Sequence, residues 1–277
     1  MYNMYRNVLY LTNTIAIFLF IGDIPIHLFL SSRSVENLEA VATKCRALSP
    51  ESVVAVIPLD LSDLTEEEGG SLDRYMTALH KHLKGHSLGG IDCLIGNAGV
   101  SSRGSALDTS EAVLRSVMNV NFFGPVALTK AIARDMCARN TGGAIAVVSS
   151  VQGKLGLPLR TSYACSKHAL QGYFDSVRGE LSLSGVNVSV ISPGYISTNL
   201  SLNAVTAAGE QYGVTDETTR NGMTPATAAH MTLLAIANEV PDLILADDKT
   251  VAAIQGKTQF PDLMAKFMNK RAKQYMT

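Results

Sequence analysis

The sequence predicts an α/β fold in which a single doubly wound parallel sheet, Rossmann-like in its layout, carries helices on both faces. Six short runs are apolar on consecutive residues, which is typical of strands that are buried on both sides. Stretches of helical pattern separate these runs, and strand–helix alternation requires crossover connections and therefore parallel strands. Because no linker rich in Pro, Gly or Ser divides the 277 residues, we expect one domain.

The elements follow one another in a regular order. The predicted strands are residues 26–31, 53–58, 91–96, 143–149, 186–192 and 243–246. The predicted helices lie between them, at residues 34–47, 64–85, 110–139, 160–184 and 224–239. Together they form a predicted core of residues 26–247, which a C-terminal extension of residues 248–277 follows. Ligands of such sheets bind beyond the carboxyl ends of the strands, so functional side chains should follow the apolar runs.

The first 25 residues do not fit this pattern. An apolar segment runs from Val8 to Gly22 and is interrupted by Thr12, Asn13 and Thr14. It could be a buried structural segment, a membrane anchor or interfacial helix, or a cleaved signal. Its 15 residues fall short of the roughly 20 that span a bilayer, and it has neither a basic start nor an A-x-A cleavage site. We therefore favour a buried segment that replaces the first β-α unit, with Val8 to Thr12 in the place of the first strand.

Composition excludes several classes of function. A formal net charge of −1 gives no electrostatic attraction for nucleic acid. The four cysteines contain no C-x-x-C pair, which argues against a zinc site or a disulfide framework and fits a reducing compartment. His80, His82 and His86 have no neighbouring Cys or acidic partner, so we interpret them as a solvated helix face and predict no metal site.

The strongest chemical signal is the pair Tyr163 and Lys167, four residues apart on one face of a predicted helix. A nearby ammonium group favours the phenolate and should lower the tyrosine pKa from its usual value of about 10. Ser150 follows a predicted strand and could hydrogen-bond a substrate carbonyl; Ser149 is the alternative. Asn121 lies inside a predicted helix, where Asn is unfavourable unless its side chain has a role, either in the site or in bonding to the backbone.

Five motifs together resemble the short-chain dehydrogenase/reductase family. They are Ser150, Tyr-x-x-x-Lys at 163–167, Asn-Ala-Gly at 97–99, Asn121 and Pro-Gly-x-x-x-Thr at 193–198, and they occur in family order. The stretches RGSALDTS, VNFFGPVALTKA, ISPGYISTNLS and YGVTDETT are similar to its dehydrogenase/reductase 7B branch. The resemblance implies an oxidoreductase that transfers a hydride between a nicotinamide and a small-molecule carbonyl or alcohol, with a lipid-like substrate. It also implies a homodimer or homotetramer that is membrane-associated, at the endoplasmic reticulum or peroxisome, or cytoplasmic.

The resemblance also implies a role for each matching residue. Tyr163 would be the acid that protonates the alkoxide, and Lys167 would lower its pKa and bind the nicotinamide ribose. Ser150 would orient and polarise the carbonyl. Asn121 would hold a water that links Lys167 to solvent. The other cofactor contacts would come from Asp60, Leu61, Asn97, Ala98, Gly99, Ile196 and Thr198.

The residues after the strand at 26–31 bear on the choice of cofactor. A carboxylate at this point accepts a hydrogen bond from the ribose 2′-OH of NAD, whereas an arginine suits the 2′-phosphate of NADP. The chain has Ser31, Ser32 and Arg33 here, and no acidic residue before Glu36. We therefore predict that Ser32 and Arg33 bind NADP(H); the alternative is that Arg33 is a solvated cation at the strand end.

The chain departs from the family at its first turn. The family has Thr-Gly-x-x-x-Gly-x-Gly there, which gives the pyrophosphate a close backbone approach and a helix N-terminus. Residues 1–25 contain a single glycine, Gly22. Farther along the chain, Gly96 occupies a position where the family usually has an Asn. Two explanations stay open. Either the N-terminus comes from a misassembled or alternative transcript of an intact enzyme, or the chain is a weak or inactive Rossmann-fold scaffold.

Overall fold

A computed structural model describes residues 15–21 and 24–276 of the chain. The main sheet consists of β1 (Ile15–Ile21), β2 (Ile24–Ser31), β3 (Val54–Val56), β4 (Cys93–Gly96), β6 (Gly143–Val148), β7 (Val186–Pro193) and β9 (Asp242–Leu245). Two short strands, β5 (Ser102–Arg103) and β8 (Val205–Thr206), pair with each other outside it. The helices are α1 (Val35–Leu48), α2 (Ser71–Gly85), α3 (Glu111–Met118), α4 (Gly124–Arg139), α5 (Thr161–Ser182), α6 (Glu217–Arg220), α7 (Pro225–Ala237), α8 (Asp248–Gln259) and α9 (Pro261–Met276).

The strand order of the main sheet is β3-β2-β1-β4-β6-β7-β9. The pairs β2–β3, β4–β6, β6–β7 and β7–β9 are parallel, as predicted for a doubly wound sheet. Strand β1 is the exception, because it runs antiparallel to both of its neighbours, β2 and β4. The α/β class with its doubly wound sheet is confirmed, and the expectation of an entirely parallel sheet is corrected at this one strand.

The short connection explains why β1 is reversed. Only two residues of sequence, Gly22 and Asp23, lie between the end of β1 and the start of β2. Two parallel strands need a crossover of a dozen or more residues, whereas a two-residue connection suits an antiparallel hairpin. The β1–β2 hairpin therefore stands where a family member would have a strand, a turn and a helix. The first strand that we expected at Val8 to Thr12 lies outside the described residues.

Helices cover both faces of the sheet, which explains why its strands are apolar on consecutive residues. On one face, Leu94 and Ile145 pack in a large cluster that includes side chains of α2, α4 and α5. On the other face, Ile95 packs against Leu233 of α7. Leu30 of β2 meets α1 in a separate cluster. Neighbouring residues of one strand, such as those at 94 and 95, thus enter different layers, as the pleat of a strand requires.

Two predicted helices differ from the observed ones. The helix expected at 64–85 begins only at Ser71, since Gly69 takes a positive φ of 73° and breaks the preceding segment. The run expected at 110–139 is interrupted between α3 and α4 by a π-helical turn at Asn119–Phe123. Such turns widen a helix locally and are frequent at functional sites.

Within the described residues, no helix has both the length and the apolar character needed to cross a membrane. Residues 15–21 of the N-terminal apolar segment form a strand of the sheet rather than a helix. The remainder of the segment, at 8–14, is outside the described part of the chain. The C-terminal extension folds into the two helices α8 and α9.

Candidate active site

The predicted catalytic residues meet at the carboxyl edge of the parallel strands. Ser150 comes two residues after β6, and the next strand, β7, ends beside it at Pro193. Tyr163 and Lys167 lie in the first two turns of α5. All three side chains are buried, with Ser150 and Tyr163 each 6% exposed and Lys167 3% exposed. The fold therefore assembles one site from a strand end and a helix start.

Ser150 is oriented by hydrogen bonds on several sides. Its Oγ accepts from the N–H of Gln152 at 3.1 Å and donates to the carbonyl of Pro193 at 3.4 Å. The hydroxyl of Ser150 also acts on the phenol of Tyr163, whose pKa it lowers by favouring the ionised form. By contrast, the alternative Ser149 donates to the carbonyl oxygen of Lys167 at 3.1 Å. The geometry favours Ser150 over Ser149 as the partner of the tyrosine.

The ionisation of Tyr163 differs from the expectation. Burial raises its pKa, and this effect outweighs the hydrogen bond from Ser150 and the positive charge of Arg103, which both lower it. The Nζ of Lys167 lies 5.8 Å from the centroid of the Tyr163 ring and donates to the carbonyl of Val148 at 2.9 Å. The predicted net lowering of the tyrosine pKa by Lys167 is therefore wrong for this geometry, because desolvation dominates.

Lys167 is affected by burial in its own right. Desolvation disfavours its ammonium form and lowers its pKa from 10.5 to about 8. It stands close to the loop after β4, since a Cβ placed on Gly99 would lie 3.4 Å from its Nζ. That Cβ would also lie 3.3 Å from the Oδ1 of Asn121. A glycine at this position thus leaves the approach to the ammonium open.

Asn121 is fully buried in the π-helical turn, and its amide bonds to protein atoms. Its Oδ1 accepts from the N–H of Val100, while its Nδ2 donates to the carbonyl of Val100, both at 2.8 Å. Nδ2 also donates to the hydroxyl of Ser166 at 2.9 Å. This is the backbone-bonding role that the sequence left open as the alternative. Its predicted role in holding a water stays a prediction.

A cavity of about 390 Å³ lies where the sequence predicts the adenosine half of a cofactor. Its lining includes most of the predicted contacts, namely Ser32, Arg33, Asp60, Leu61, Ala98 and Gly99. Burial pushes the pKa of Asp60 upward, but hydrogen bonds from Ser62 and the charge of Arg33 outweigh burial and leave the pKa below its usual value. The Oδ1 of Asp60 accepts from both the N–H and the hydroxyl of Ser62, at 2.9 and 2.7 Å.

The other predicted contacts lie elsewhere. Ile196 lines a second, larger cavity, whereas neither Asn97 nor Thr198 is among the lining residues of either cavity. The Oγ1 of Thr198 accepts from the N–H of Leu200 at 3.3 Å. The structure therefore brings most of the predicted adenosine contacts to the smaller cavity, whereas Asn97 and Thr198 do not line either of these two cavities.

In the part of the chain that the structure describes, the turn and helix that would hold a pyrophosphate do not follow β1. Because β1 is reversed, its first residue, Ile15, pairs with Ser31 at the carboxyl edge, and its last residue, Ile21, lies at the opposite edge. In the described chain, no helix follows β1 before β2, so no helix N-terminus meets the position that a pyrophosphate would take. Among the described residues, the lining of the smaller cavity and the buried Ser150, Tyr163 and Lys167 suit the two ends of a nicotinamide dinucleotide, and no helix N-terminus follows β1 at its centre.

The larger cavity, of about 790 Å³, opens beside Ser150. Its apolar walls include Leu155, Leu157, Leu200, Met223, Phe267 and Met268. Sequence reasoning gave no role to two polar residues that also line it, Gln152 and Arg103. The position of Gln152, two residues beyond Ser150 at the same strand end, was a signal that could have identified it.

Hydrogen bonds and an ion pair from Arg103 hold the segment 199–223 in place, and this segment covers part of the larger cavity. Its Nη2 donates to Asp216 at 2.7 Å and to the hydroxyl of Ser201 at 3.0 Å. Arg160 reaches the same Asp216 oxygen at 3.1 Å. Two arginines thus hold one carboxylate of the covering segment near Tyr163, and the charge of Arg103 also acts to lower the pKa of this tyrosine.

Comparison with known proteins identifies the class that this fold and site define. The family model described as short chain dehydrogenase matches residues 22–208, and the chain belongs to this family. Its fold is that of a short-chain dehydrogenase from Streptomyces avermitilis, with a TM-score of 0.67 and 25% identity over 88% of this chain and 86% of that one. A short-chain dehydrogenase/reductase from Burkholderia phymatum in complex with NAD gives a TM-score of 0.70 at 21% identity, covering 85% of each chain.

Within the family, the chain is similar to the dehydrogenase/reductase 7B branch. It is 49% identical to dehydrogenase/reductase SDR family member 7B of Bos taurus over 185 residues, which are 67% of this chain and 57% of that protein. It is 41% identical to the Xenopus laevis member over 248 residues, which are 89% of this chain and 74% of that protein. The match thus spans little more than half of the bovine relative. Proteins of this family are oxidoreductases that use a nicotinamide cofactor and act on small molecules.

Proposed function

We propose that the protein is an NADP(H)-dependent reductase of the short-chain family that interconverts a carbonyl and an alcohol on a lipid-like substrate. One observation carries this proposal. Ser150, Tyr163 and Lys167 are buried together at the carboxyl edge, with the larger cavity on the side of Ser150 and the smaller one beyond Gly99. This placement puts a proton donor where a substrate and a nicotinamide would meet.

The three side chains have complementary tasks. A bound nicotinamide would supply the hydride. The hydroxyl of Ser150 would orient the substrate oxygen, and the phenol of Tyr163 would hand over its proton as negative charge develops there. Because burial raises the pKa of Tyr163, the phenol is protonated at neutral pH and is ready to act as the acid. Lys167, with its pKa of about 8, would carry a positive charge at neutral pH and bind ribose hydroxyls beside Gly99.

The smaller cavity supports the choice of NADP(H). Arg33 lines it at the end of β2, where an arginine suits a 2′-phosphate. Asp60 lines the same cavity, and one of its carboxylate oxygens already accepts two hydrogen bonds from Ser62. A carboxylate that is engaged in this way competes less well for a ribose 2′-OH than a free one, so Arg33 should decide the preference.

The larger cavity supports a lipid-like substrate. A volume of about 790 Å³ lies in the upper part of the range of small-molecule sites. Seven of its lining side chains are Leu, Met or Phe, and a long apolar chain would bury against them. Membrane association and assembly into a homodimer or homotetramer belong to the same proposal. Phe123, which is 57% exposed between α3 and α4, supports an oligomer surface on these helices.

A second candidate function is a non-catalytic or weakly catalytic scaffold. The observation that favours it is the β1–β2 hairpin, because the described residues offer the pyrophosphate neither a glycine-rich turn nor a helix N-terminus between these two strands. Such a protein would keep its sheet and its oligomer surfaces while it binds the cofactor poorly.

One experiment separates the two. NADPH binding to the full chain would be titrated calorimetrically, and oxidation of millimolar NADPH would be followed with a medium-chain ketone. If wild type oxidises NADPH with the ketone and Tyr163→Phe does not, the result supports the reductase. A chain that shows no turnover at millimolar NADPH, even after its glycine turn is rebuilt, would be a scaffold.

A further inference from the structure

Helix α9 and the residue before it present a surface of apolar and basic side chains next to the mouth of the larger cavity. Phe260, Leu263 and Phe267 are 59%, 64% and 51% exposed, and their spacing of three and four residues places them on one face. Lys266 and Lys270 are exposed on the same helix and flank this face. We call these five residues the α9 surface.

One edge of this face of α9 is packed against the protein. Met264 and Met268 are half-buried, and the Sδ of Met264 lies 3.6 Å from the position of a Cβ on Gly256 in α8. The helix is therefore seated on α8 through its methionines. Its three large exposed side chains remain uncovered by the residues that the structure describes.

The charge of α9 contrasts with that of the whole molecule. The helix contains four basic residues and one acidic residue, a net charge of +3, whereas the whole chain has a net charge of −1. Apolar side chains flanked by lysines are typical of helices that lie in the interface of an anionic bilayer. Two copies of such a face would repel each other across a two-fold axis, so a second copy of this chain is a poor partner for it.

The α9 surface is continuous with the wall of the larger cavity. Phe267 is part of both, and Met268 and Arg271 of the same helix also line the cavity. Whatever covers the α9 surface therefore lies directly beside the cavity that we propose for the substrate.

We propose that the α9 surface docks on an anionic lipid bilayer, with Phe260, Leu263 and Phe267 inserted among the acyl chains and Lys266 and Lys270 at the headgroups. Docking in this way would open the cavity directly to membrane lipids. The purpose of the surface rests on the lipid-like substrate of the proposed function, whereas docking itself can be measured without any substrate.

The test is sedimentation of the full chain with vesicles of phosphatidylcholine, either alone or mixed with phosphatidylserine. Wild type should bind the mixed vesicles. Phe260→Ser with Leu263→Ser should weaken binding at least about tenfold, because two large apolar side chains are lost. Lys266→Gln with Lys270→Gln should weaken it by a similar factor, since each lysine contributes about fivefold near an anionic surface.

Matched controls remove similar side chains elsewhere. Leu107 and Leu183 are 97% and 92% exposed outside α9, and Leu107→Ser with Leu183→Ser should leave binding unchanged. Lys81→Gln with Lys84→Gln on α2 is the control for charge. Thermal unfolding of every variant checks that the fold is kept.

Several results would overturn the proposal. These are failure of wild type to bind the mixed vesicles, wild-type binding by both α9 variants, or variants that lose self-association while they keep vesicle binding. The last result would assign the surface to a second copy. Turnover of a water-soluble ketone, measured without vesicles, should be the same in wild type and in the α9 variants. If the protein binds vesicles but shows no turnover, the result would therefore contradict the proposed reductase function and leave the proposed docking of the α9 surface intact.

Discussion

At the residue scale, the site depends on how burial alters the pKa values of Tyr163 and Lys167. The Nζ of Lys167 lies 5.8 Å from the centroid of the Tyr163 ring. Desolvation keeps the phenol of Tyr163 protonated and makes the ammonium of Lys167 costly to hold, and both shifts have the same cause. Ser150 and Arg103 act in the opposite sense on the tyrosine. The contribution of each side chain can therefore be measured separately by substituting that residue alone.

Tyr163→Phe should remove reductase activity and leave the fold intact, because it deletes the proton donor and little packing volume. General acids contribute about a hundredfold or more to a rate, so turnover should fall at least that far. Tyr173→Phe, on the same helix and packed edge-on against Phe174, is the matched control and should keep its turnover. If Tyr163→Phe retained more than about a tenth of wild-type turnover, the acid would be another group.

Lys167→Met should inactivate the protein and stabilise it at neutral pH. Below about pH 8 the lysine is charged in the folded and unfolded states, and burying that charge costs free energy. Between pH 8 and 10.5 the folded lysine loses its proton while the unfolded one keeps it, so wild-type stability should rise with pH. Urea unfolding should show the variant about 1–3 kcal/mol more stable than wild type at pH 7. This difference in free energy of unfolding should be smaller at pH 10. A less stable variant at pH 7 would contradict this account.

Arg33→Asp should shift the cofactor preference from NADPH toward NADH. A carboxylate at the end of β2 would repel a 2′-phosphate and accept a hydrogen bond from a 2′-OH. The measurement is the ratio of kcat/KM for the two cofactors. Arg115→Asp, an exposed arginine on α3, is the control and should not alter the ratio. An unchanged ratio in Arg33→Asp would leave Arg33 as a surface cation.

At the element scale, the β1–β2 hairpin is the feature that separates this chain from a complete nucleotide-binding unit. Its neighbours in the sheet keep the parallel order that the family fold requires, so the change is confined to one strand. Strand β2 still delivers Ser32 and Arg33 to the smaller cavity. What the hairpin removes is the phosphate-binding turn and the start of the first helix.

The chain as written should therefore bind NADPH weakly. Each charge-assisted hydrogen bond contributes about 1.5–3 kcal/mol, and losing two or three would weaken binding by about 3–9 kcal/mol, from micromolar to millimolar or worse. Replacing the residues before β2 by a parallel strand, a Thr-Gly-x-x-x-Gly-x-Gly turn and a helix should restore binding and turnover. A second replacement with alanines at the three glycines is the control and should not. Micromolar binding by the unmodified chain, measured by titration, would show that phosphate is held in another way.

At the scale of the whole molecule, the sequence predicts most of the fold because each buried strand carries its own signal. The run at 186–192 appears as β7 within one residue, and residues 224–239 contain α7. Strand β1 and its reversal were both missed, because the first strand was expected at Val8 to Thr12 and apolar patterning does not give the direction of a strand. The short connection at Gly22 and Asp23, which determines that direction, only has meaning once both flanking strands are known.

The site was predictable to the extent that its residues belong to motifs. Ser150, Tyr163 and Lys167 were predicted from their spacing and from the strand before Ser150, and the adenosine contacts were predicted from the resemblance to the family. The direction of the Tyr163 pKa shift was not predictable, because it depends on how deeply the phenol is buried. The contribution of Arg103 was also missed, since Arg103 lies in the short strand β5 outside the main sheet, where contacts with Ser201 and Asp216 position its guanidinium.

The hairpin also has a consequence for the order in which the sheet forms. Hairpins close in about 1–10 μs, whereas parallel pairs must wait for a long loop to close. Strands β1 and β2 are adjacent in sequence, while β1 and β4 are separated by about seventy residues. We expect the hairpin to form early and to offer the free edge of β1 to β4. In this chain, the β1–β2 hairpin would therefore nucleate the centre of the sheet. A relative with the full strand, turn and helix must complete a crossover before its first two strands can pair.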